Sequence, residues 1–203
     1  EKLTKIRSDL VVESVKETAA EGVFQVNILN GPILYLTEAG EHFFEGNLWA
    51  ITDTNLVNLT KQEEEKRIAS TLSALPVNEM IIFTPKGSKT RSVIYAFTDH
   101  TCYYCRKLHD DLPQLSELGI EVRYLAWPRD SKVDSKSFQQ IASAWCSEDP
   151  QQSLTKLKSG EDIPINVCED NPVEKQLFLG SKLMVRGTPA IFTEDGIALK
   201  GYL

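Results

Sequence analysis

The sequence predicts an α+β fold in three parts: a small N-terminal domain, a connecting helix, and a larger C-terminal domain with a helical insertion. Three observations carry this expectation. Turn residues punctuate short apolar runs up to residue 58. A charged segment with a thin apolar stripe covers 59–76. From 77 to 203, longer apolar runs alternate with helical patterns, and a mostly helical block occupies about 130–185.

Taken in order, residues 1–20 read as a helix, because Leu3, Ile6, Leu10 and Val11 recur at helical spacing and Val15 and Ala19 follow; Gly22 closes the pattern. Strands are expected at 23–29, 33–37 and 42–45, with a further run at 46–52, broken at Asn30-Gly31-Pro32 and Glu38-Ala39-Gly40. Such a meander behind one helix is too small to bury a strong core, and its strand edges offer a route to pairing with a second chain. In the connecting helix, Thr60 and Glu63 have the spacing of a capping box, and Ile68, Leu72 and Leu75 form the stripe. A surface helix of a single domain is the alternative for this segment. Pro76 stops it.

Further strands are expected at 80–84, 91–97, 120–127, 190–193 and 197–201. Pro113 should interrupt the helix that begins near Cys102, and Gly119 should end it. Within the helical block, 137–146, 150–158 and 172–184 are the helix candidates.

Composition narrows the function classes. The 203 residues carry a net charge of −7, which argues against a nucleic-acid partner. No apolar run reaches the roughly 20 residues of a membrane helix. The opening Glu1-Lys2-Leu3-Thr4 has no signal-peptide core, which fits a cytosolic protein or a secreted one already trimmed.

The chemistry concentrates at Cys102-Tyr103-Tyr104-Cys105. The apolar run Ser92–Phe97 precedes the pair, and Cys105, Leu108, Leu112 and Leu115 share one helical face after it. Cys102 therefore falls where a buried strand gives way to a helix N-terminus. Free N–H groups and the helix dipole favour a thiolate there, and the thiolate is the nucleophile of disulfide exchange. Cys102 is the candidate nucleophile. Cys105, one turn inside, is placed to attack a mixed disulfide on Cys102, with Tyr103 and Tyr104 modulating the balance and offered to substrate. A zinc half-site of Cys102, Cys105 and His109 is the alternative, but no second ligand pair completes four. No cofactor is called for. Thr188-Pro189 opens an apolar strand, and a cis-proline turn beside the cysteine pair would present a backbone edge to an extended substrate segment.

Cys146 and Cys168 are the other two cysteines. The even count favours a disulfide, with two buried free cysteines as the alternative. A bond would close a loop of about 23 residues, add roughly 3 kcal/mol, and require an oxidising compartment. His42, His100 and His109 read as surface or packing residues, with His100 close enough to the motif to tune it. Trp49, Trp127 and Trp145 read as packing residues.

The run from Thr98 to His109 resembles the active-site segment of DsbC-type bacterial periplasmic disulfide isomerases. Gly187-Thr188-Pro189 is similar to their cis-proline loop, the second cysteine pair to their structural disulfide, and Leu34–Thr37 with Gly40 and Gly46 to their dimerisation domain. The resemblance covers nearly the whole chain. It implies a cystatin-like N-terminal dimerisation domain, a linker helix, and a thioredoxin-fold catalytic domain, assembled as a V-shaped homodimer around a cleft for misfolded or mis-oxidised secreted proteins. It implies a periplasmic location and a DsbD-type membrane reductase as the electron source. Cys102 would attack and Cys105 resolve, Thr188 and Pro189 would hold the substrate backbone, and Cys146–Cys168 would be structural. The implied activity is disulfide isomerisation and reduction with chaperone activity. A DsbG-type chaperone or sulfenic-acid reductase, and a monomeric thiol oxidase, are the alternatives. Tyr103 replaces the glycine usual in these isomerases, which bears on redox poise. The family's C-terminal helix would follow the last predicted strand, where the sequence ends at Leu203.

Overall fold

The computed structural model describes residues 2–87 and 89–202. The outer limits of the two expected domains, residues 1 and 203, lie outside this range, as does any helix beyond Leu203. The chain divides into two compact units, residues 1–64 and 65–203.

In the first unit, helix α1 covers only Lys2–Ile6, and strand β1 follows at Val12–Glu17. The expected helix over 1–20 is therefore corrected beyond residue 6. Val11, Val12 and Val15 are β-branched and favour extended backbone. β1 also gains an antiparallel ladder against β2, Val23–Ile28, with a register shift between Val12 and Ser14. The sheet continues through β3, Ile33–Thr37, and β4, Phe43–Glu45, in the order β1-β2-β3-β4. A separate hairpin pairs β5, Trp49–Ile51, with β6, Leu56–Asn58. The core of the unit is small: Val26, Ile28 and Leu34, with Leu10 and Leu36 against them.

Helix α2, Leu59–Ser73, starts in this unit and ends in the second. Its start differs from the expected capping box. Asn58 Oδ1 accepts from the Lys61 N–H at 2.9 Å, so Asn58 supplies the cap. Thr60 is buried; its hydroxyl accepts from the Leu48 N–H at 2.8 Å and shares a hydrogen bond with the Tyr35 hydroxyl. Glu63 pairs with Lys16. Tertiary partners for Thr60 and Glu63 outcompeted the local motif.

The second unit is built on a five-stranded sheet in the order β11-β10-β8-β9-β7. The strands are β7, Ile81–Phe83; β8, Ser92–Thr98; β9, Ile120–Ala126; β10, Ala190–Thr193; and β11, Ala198–Leu199. Only β8 and β9 run parallel. Helices α3, Tyr103–Asp110, and α4, Leu112–Glu117, make the crossover between them. The helix break at Asp111 places Pro113 in the first turn of α4, where its missing N–H costs no helical bond.

Three helices lie between β9 and β10: α5, Lys136–Trp145; α6, Pro150–Ser159; and α7, Val173–Lys182. Ser135 and Asp149 cap α5 and α6 through their side-chain oxygens, and Gly160 ends α6 at φ 93°.

The two-residue period of β8 divides the core between the sheet faces. Ala96 joins Leu108, Val122, Tyr124, Leu154, Leu157 and Ile191 on one face. Tyr95 and Phe97 join Leu125, Phe192 and Leu72 on the other, with Ile68 and Leu75 against them. The stripe of α2 is thus packed on the core of this unit. The turn at Gly196 sits hard against α2, where a Cβ would fall 1.9 Å from the Glu65 carbonyl oxygen, so glycine is required.

Candidate active site

β8 ends at Thr98, and the chain enters α3 through Asp99–Cys102. Asp99 shapes this passage. Its buried carboxylate accepts from the Thr101 N–H at 2.5 Å and the Arg129 N–H at 2.6 Å, and also from the Thr101 hydroxyl. Burial alone would raise its pKa, but these donors outweigh burial and hold the carboxyl below its ordinary value. A rigid bend therefore delivers Cys102 to the N-cap position of α3, with φ −77° and ψ 123°.

Cys102 is 5 % exposed and Cys105 is fully buried; both are free thiols. The Cys102 thiol donates to the Thr188 carbonyl oxygen at 3.1 Å, and the Thr188–Pro189 peptide bond is cis. Cys102, Cys105, Thr188 and Pro189 thus come together from two ends of the unit. Tyr103 and Tyr104 stand outside the pair, Tyr103 at 72 % exposure, with their rings edge to face at 5.3 Å. Cys146 and Cys168 form a disulfide elsewhere, joining the end of α5 to the segment before α7, with Cα atoms 5.7 Å apart.

The two thiols are differentiated. Burial would raise Cys102, but hydrogen bonding by Thr188, by the Cys105 N–H and thiol, and the charge of Arg129 together hold it below the ordinary thiol value. The Thr188 carbonyl contact by itself favours the protonated thiol. The Thr188 group able to favour the thiolate is its hydroxyl, whose Oγ1 is buried with no partner. Burial pushes Cys105 up, against the opposing charge of Lys158. The outer thiol is thus the more readily ionised of the two.

His109 is buried on α3. Its Nδ1 lies 3.3 Å from the Tyr124 hydroxyl and its Nε2 3.0 Å from the Thr155 hydroxyl, so both ring nitrogens are engaged within the protein. His100 is buried beside the motif, and its Nδ1 has no partner. No group of three or more metal-binding side chains occurs among the described residues.

These features agree with the chain's likeness to known proteins. Residues 77–203 match the thioredoxin-like domain family, and residues 1–61 match the disulfide bond isomerase protein N-terminal domain. The thiol:disulfide interchange protein DsbC of Dickeya dadantii (strain 3937) is 35% identical over 201 residues, which cover 99% of this chain and 80% of that protein. The DsbC of Escherichia coli (strain K12) is 34% identical over 175 residues, 86% of this chain and 70% of that one.

The chain belongs to the DsbC family of thiol:disulfide interchange proteins.

As a family member it is a thiol–disulfide oxidoreductase with a thioredoxin-like domain. A disulfide interchange protein from Neisseria gonorrhoeae superposes with a TM-score of 0.55 at 20% identity, covering 64% of this chain and 89% of that one. The catalytic domain of Proteus mirabilis ScsC gives 0.54 at 21%, covering 70% and 90%. Both establish the shared fold. No helix among the described residues is long and apolar enough to cross a membrane.

Reading the sequence missed Asp99, Arg129, Thr98 and Lys158 as members of this site. For Lys158 a signal existed: it lies one and four residues after Leu157 and Leu154, on the apolar face of α6. For Arg129 none did, since a loop far along the chain supplies it.

Proposed function

We propose that this protein isomerises and reduces incorrect disulfides in secreted proteins, with chaperone activity toward them. Cys102 is the nucleophile. Its thiolate attacks one sulfur of a substrate disulfide, forms a mixed disulfide, and expels the other sulfur as a thiolate. A second substrate thiol can then attack the mixed disulfide, which completes isomerisation and regenerates Cys102. Alternatively Cys105 attacks Cys102, which releases reduced substrate and leaves a Cys102–Cys105 disulfide. Thr188 and Pro189 hold the extended substrate backbone beside Cys102, and the exposed rings of Tyr103 and Tyr104 contact the chain around the scissile bond. Cys146–Cys168 is structural. The observation that carries this reading is the Cys102 thiol, set at the start of α3 and 3.1 Å from the Thr188 carbonyl.

The proposed organisation is a dimerisation domain at 1–58, a linker helix at 59–76 and a catalytic domain at 77–203. Homodimerisation through the first of these is supported by its small core and by the exposure of Phe43, Phe44, Trp49, Ile51 and Leu56. A periplasmic location and reduction by a DsbD-type membrane protein complete the reading. The Cys146–Cys168 disulfide fits an oxidising compartment, and repeated isomerisation needs Cys102 kept reduced.

The decisive experiment incubates the reduced protein with a scrambled substrate that has several disulfides. Recovery of substrate activity that is lost in Cys102→Ser supports the reading. No recovery, where a known isomerase succeeds, sinks it.

A further inference from the structure

Beneath the cysteine pair lies a lysine with no role in the exchange just described. Lys158, on α6, is 3 % exposed. Lysine is almost never buried so deeply without a charged partner. Here Nζ donates instead to the Thr98 hydroxyl oxygen at 2.5 Å and the Asp99 carbonyl oxygen at 3.0 Å, and lies 5.7 Å from the Tyr124 ring centroid. Thr98 ends β8 on the face that carries Ala96, and its side chain is among the groups that favour the Cys105 thiolate against burial. Thr98 is therefore shared between the lysine and the inner thiol.

We propose that Lys158 is a positioning residue for the resolving step, taking the Cys105 proton through the Thr98 hydroxyl as Cys105 attacks the mixed disulfide. The inference rests on Cys105 being the resolving thiol. In the step, the Cys105 thiol gives its proton to Thr98 Oγ1, and the Thr98 hydroxyl proton passes to the neutral Lys158 amine. The Cys105 thiolate then bonds to Cys102 Sγ. The Cys102–substrate bond breaks, its electron pair leaves on the substrate sulfur, and the lysine proton returns to that thiolate or to water. One S–S bond forms and one breaks.

The surroundings fit a group that changes charge. Burial pushes Lys158 down to about 8, against the pull of Cys105, Asp99 and Cys102 and with the push of Arg106. A lysine so lowered is partly neutral near physiological pH, as a proton acceptor must be. The other titratable groups it feels are His100 beside the motif and His109 on α3, both lowered by burial first and by Lys158 among the remaining causes, and Tyr124 on β9. The strand position six residues before Cys102 is Ala96, which provides no carboxylate for this task.

The test uses the full chain with a mixed disulfide formed between Cys102 and a small aromatic thiol, whose release reports the Cys105 attack. In the wild-type protein the release rate should climb through about pH 8. Lys158→Met should slow release at pH 7 by about tenfold or more and move that rise to higher pH. It should also shift the equilibrium with glutathione toward the disulfide form by a comparable factor, about 30 mV for tenfold. Lys158→Arg, always protonated, should restore the equilibrium and leave release slow. Thr98→Val should slow release like Lys158→Met, and it carries the test if the methionine variant does not fold. Wild-type release profiles in the methionine and valine variants, or full rescue of the rate by arginine, overturn the assignment of Lys158. Failure of Cys102 to form the mixed disulfide at all overturns the underlying reading instead.

Discussion

The Cys102 thiol and the Thr188 carbonyl oxygen meet at 3.1 Å, although 86 residues separate them in the chain. β8 and β10 make the meeting possible. They are adjacent antiparallel strands, with Phe97 opposite Ala190, so the segment leaving β8 and the segment entering β10 share one edge of the sheet. Cys102 and the backbone proposed to receive a substrate are thereby fixed by the same ladder.

The Thr188 hydroxyl, buried without a partner, is the group free to donate to a Cys102 thiolate. Thr188→Val should raise the Cys102 pKa, because it removes the hydroxyl able to hydrogen-bond the thiolate, an effect of about 1.5 kcal/mol. Iodoacetamide alkylation of Cys102 as a function of pH checks this. An unchanged midpoint would show that Arg129 and the α3 N–H groups suffice.

Asp99 ties Thr101 and Arg129 to the entry of α3. Asp99→Ala should cost about 2 kcal/mol by leaving those part-buried donors without their acceptor. Because the folded carboxyl is held below its ordinary value of 3.8, its contribution is present above that pH and lost as the pH falls through the folded value. Urea unfolding at pH 7 and pH 3 should show the variant's deficit shrinking in acid.

His109 is pushed down to about 4 by burial, with the charge of Lys158 adding to it. The unfolded chain takes up a proton near 6.5, so stability should be full above that pH and fall as the pH drops toward 4. The loss attributable to this residue is up to about 3 kcal/mol. Histidine 109 replaced by glutamine, His109→Gln, keeps partners for Tyr124 and Thr155 and should flatten the dependence in that window. Parallel slopes for the two proteins would refute the prediction.

The Cys146–Cys168 bond closes a loop with a sequence separation of 22. Replacing both cysteines by alanine should cost roughly 3 kcal/mol and lower Tm by about 6–12 °C, while leaving the Cys102 alkylation rate unchanged. Calorimetry and the same alkylation assay check both halves.

Phe43 lies on β4, an edge strand of the four-stranded sheet, and is more than half exposed. Phe43→Glu should weaken the proposed homodimer by about tenfold or more, the effect of some 1.4 kcal/mol. Sedimentation equilibrium measures it, and an unaltered dissociation constant would place the interface elsewhere.

Much of the fold is legible in the amino-acid sequence. The runs that became β2, β3, β8, β9 and β10 were readable because apolar residues alternate or cluster between turn residues, and Pro113 marked the division between α3 and α4 in advance. The Val11–Val15 region carries a helical pattern yet is a strand from Val12 onward, because apolar spacing at three and four residues also occurs by chance. Only the ladder to β2 settles the matter, and that ladder is a long-range pairing. Thr60 illustrates the same limit at one residue. Its hydroxyl is a competent cap, but Leu48 and Tyr35 claim it, and neither neighbour is visible in the local pattern.

By itself the sequence determined the chemistry: two cysteines at a strand-to-helix junction, where backbone N–H groups favour a thiolate, and a second cysteine pair apart from them. Those properties are local, because spacing and helix geometry set them. The tertiary structure alone decided how the two thiols differ. Thr188, Arg129, Thr98 and Lys158 converge on them from four separate segments, and in a buried site the balance between desolvation and such partners sets which sulfur is charged.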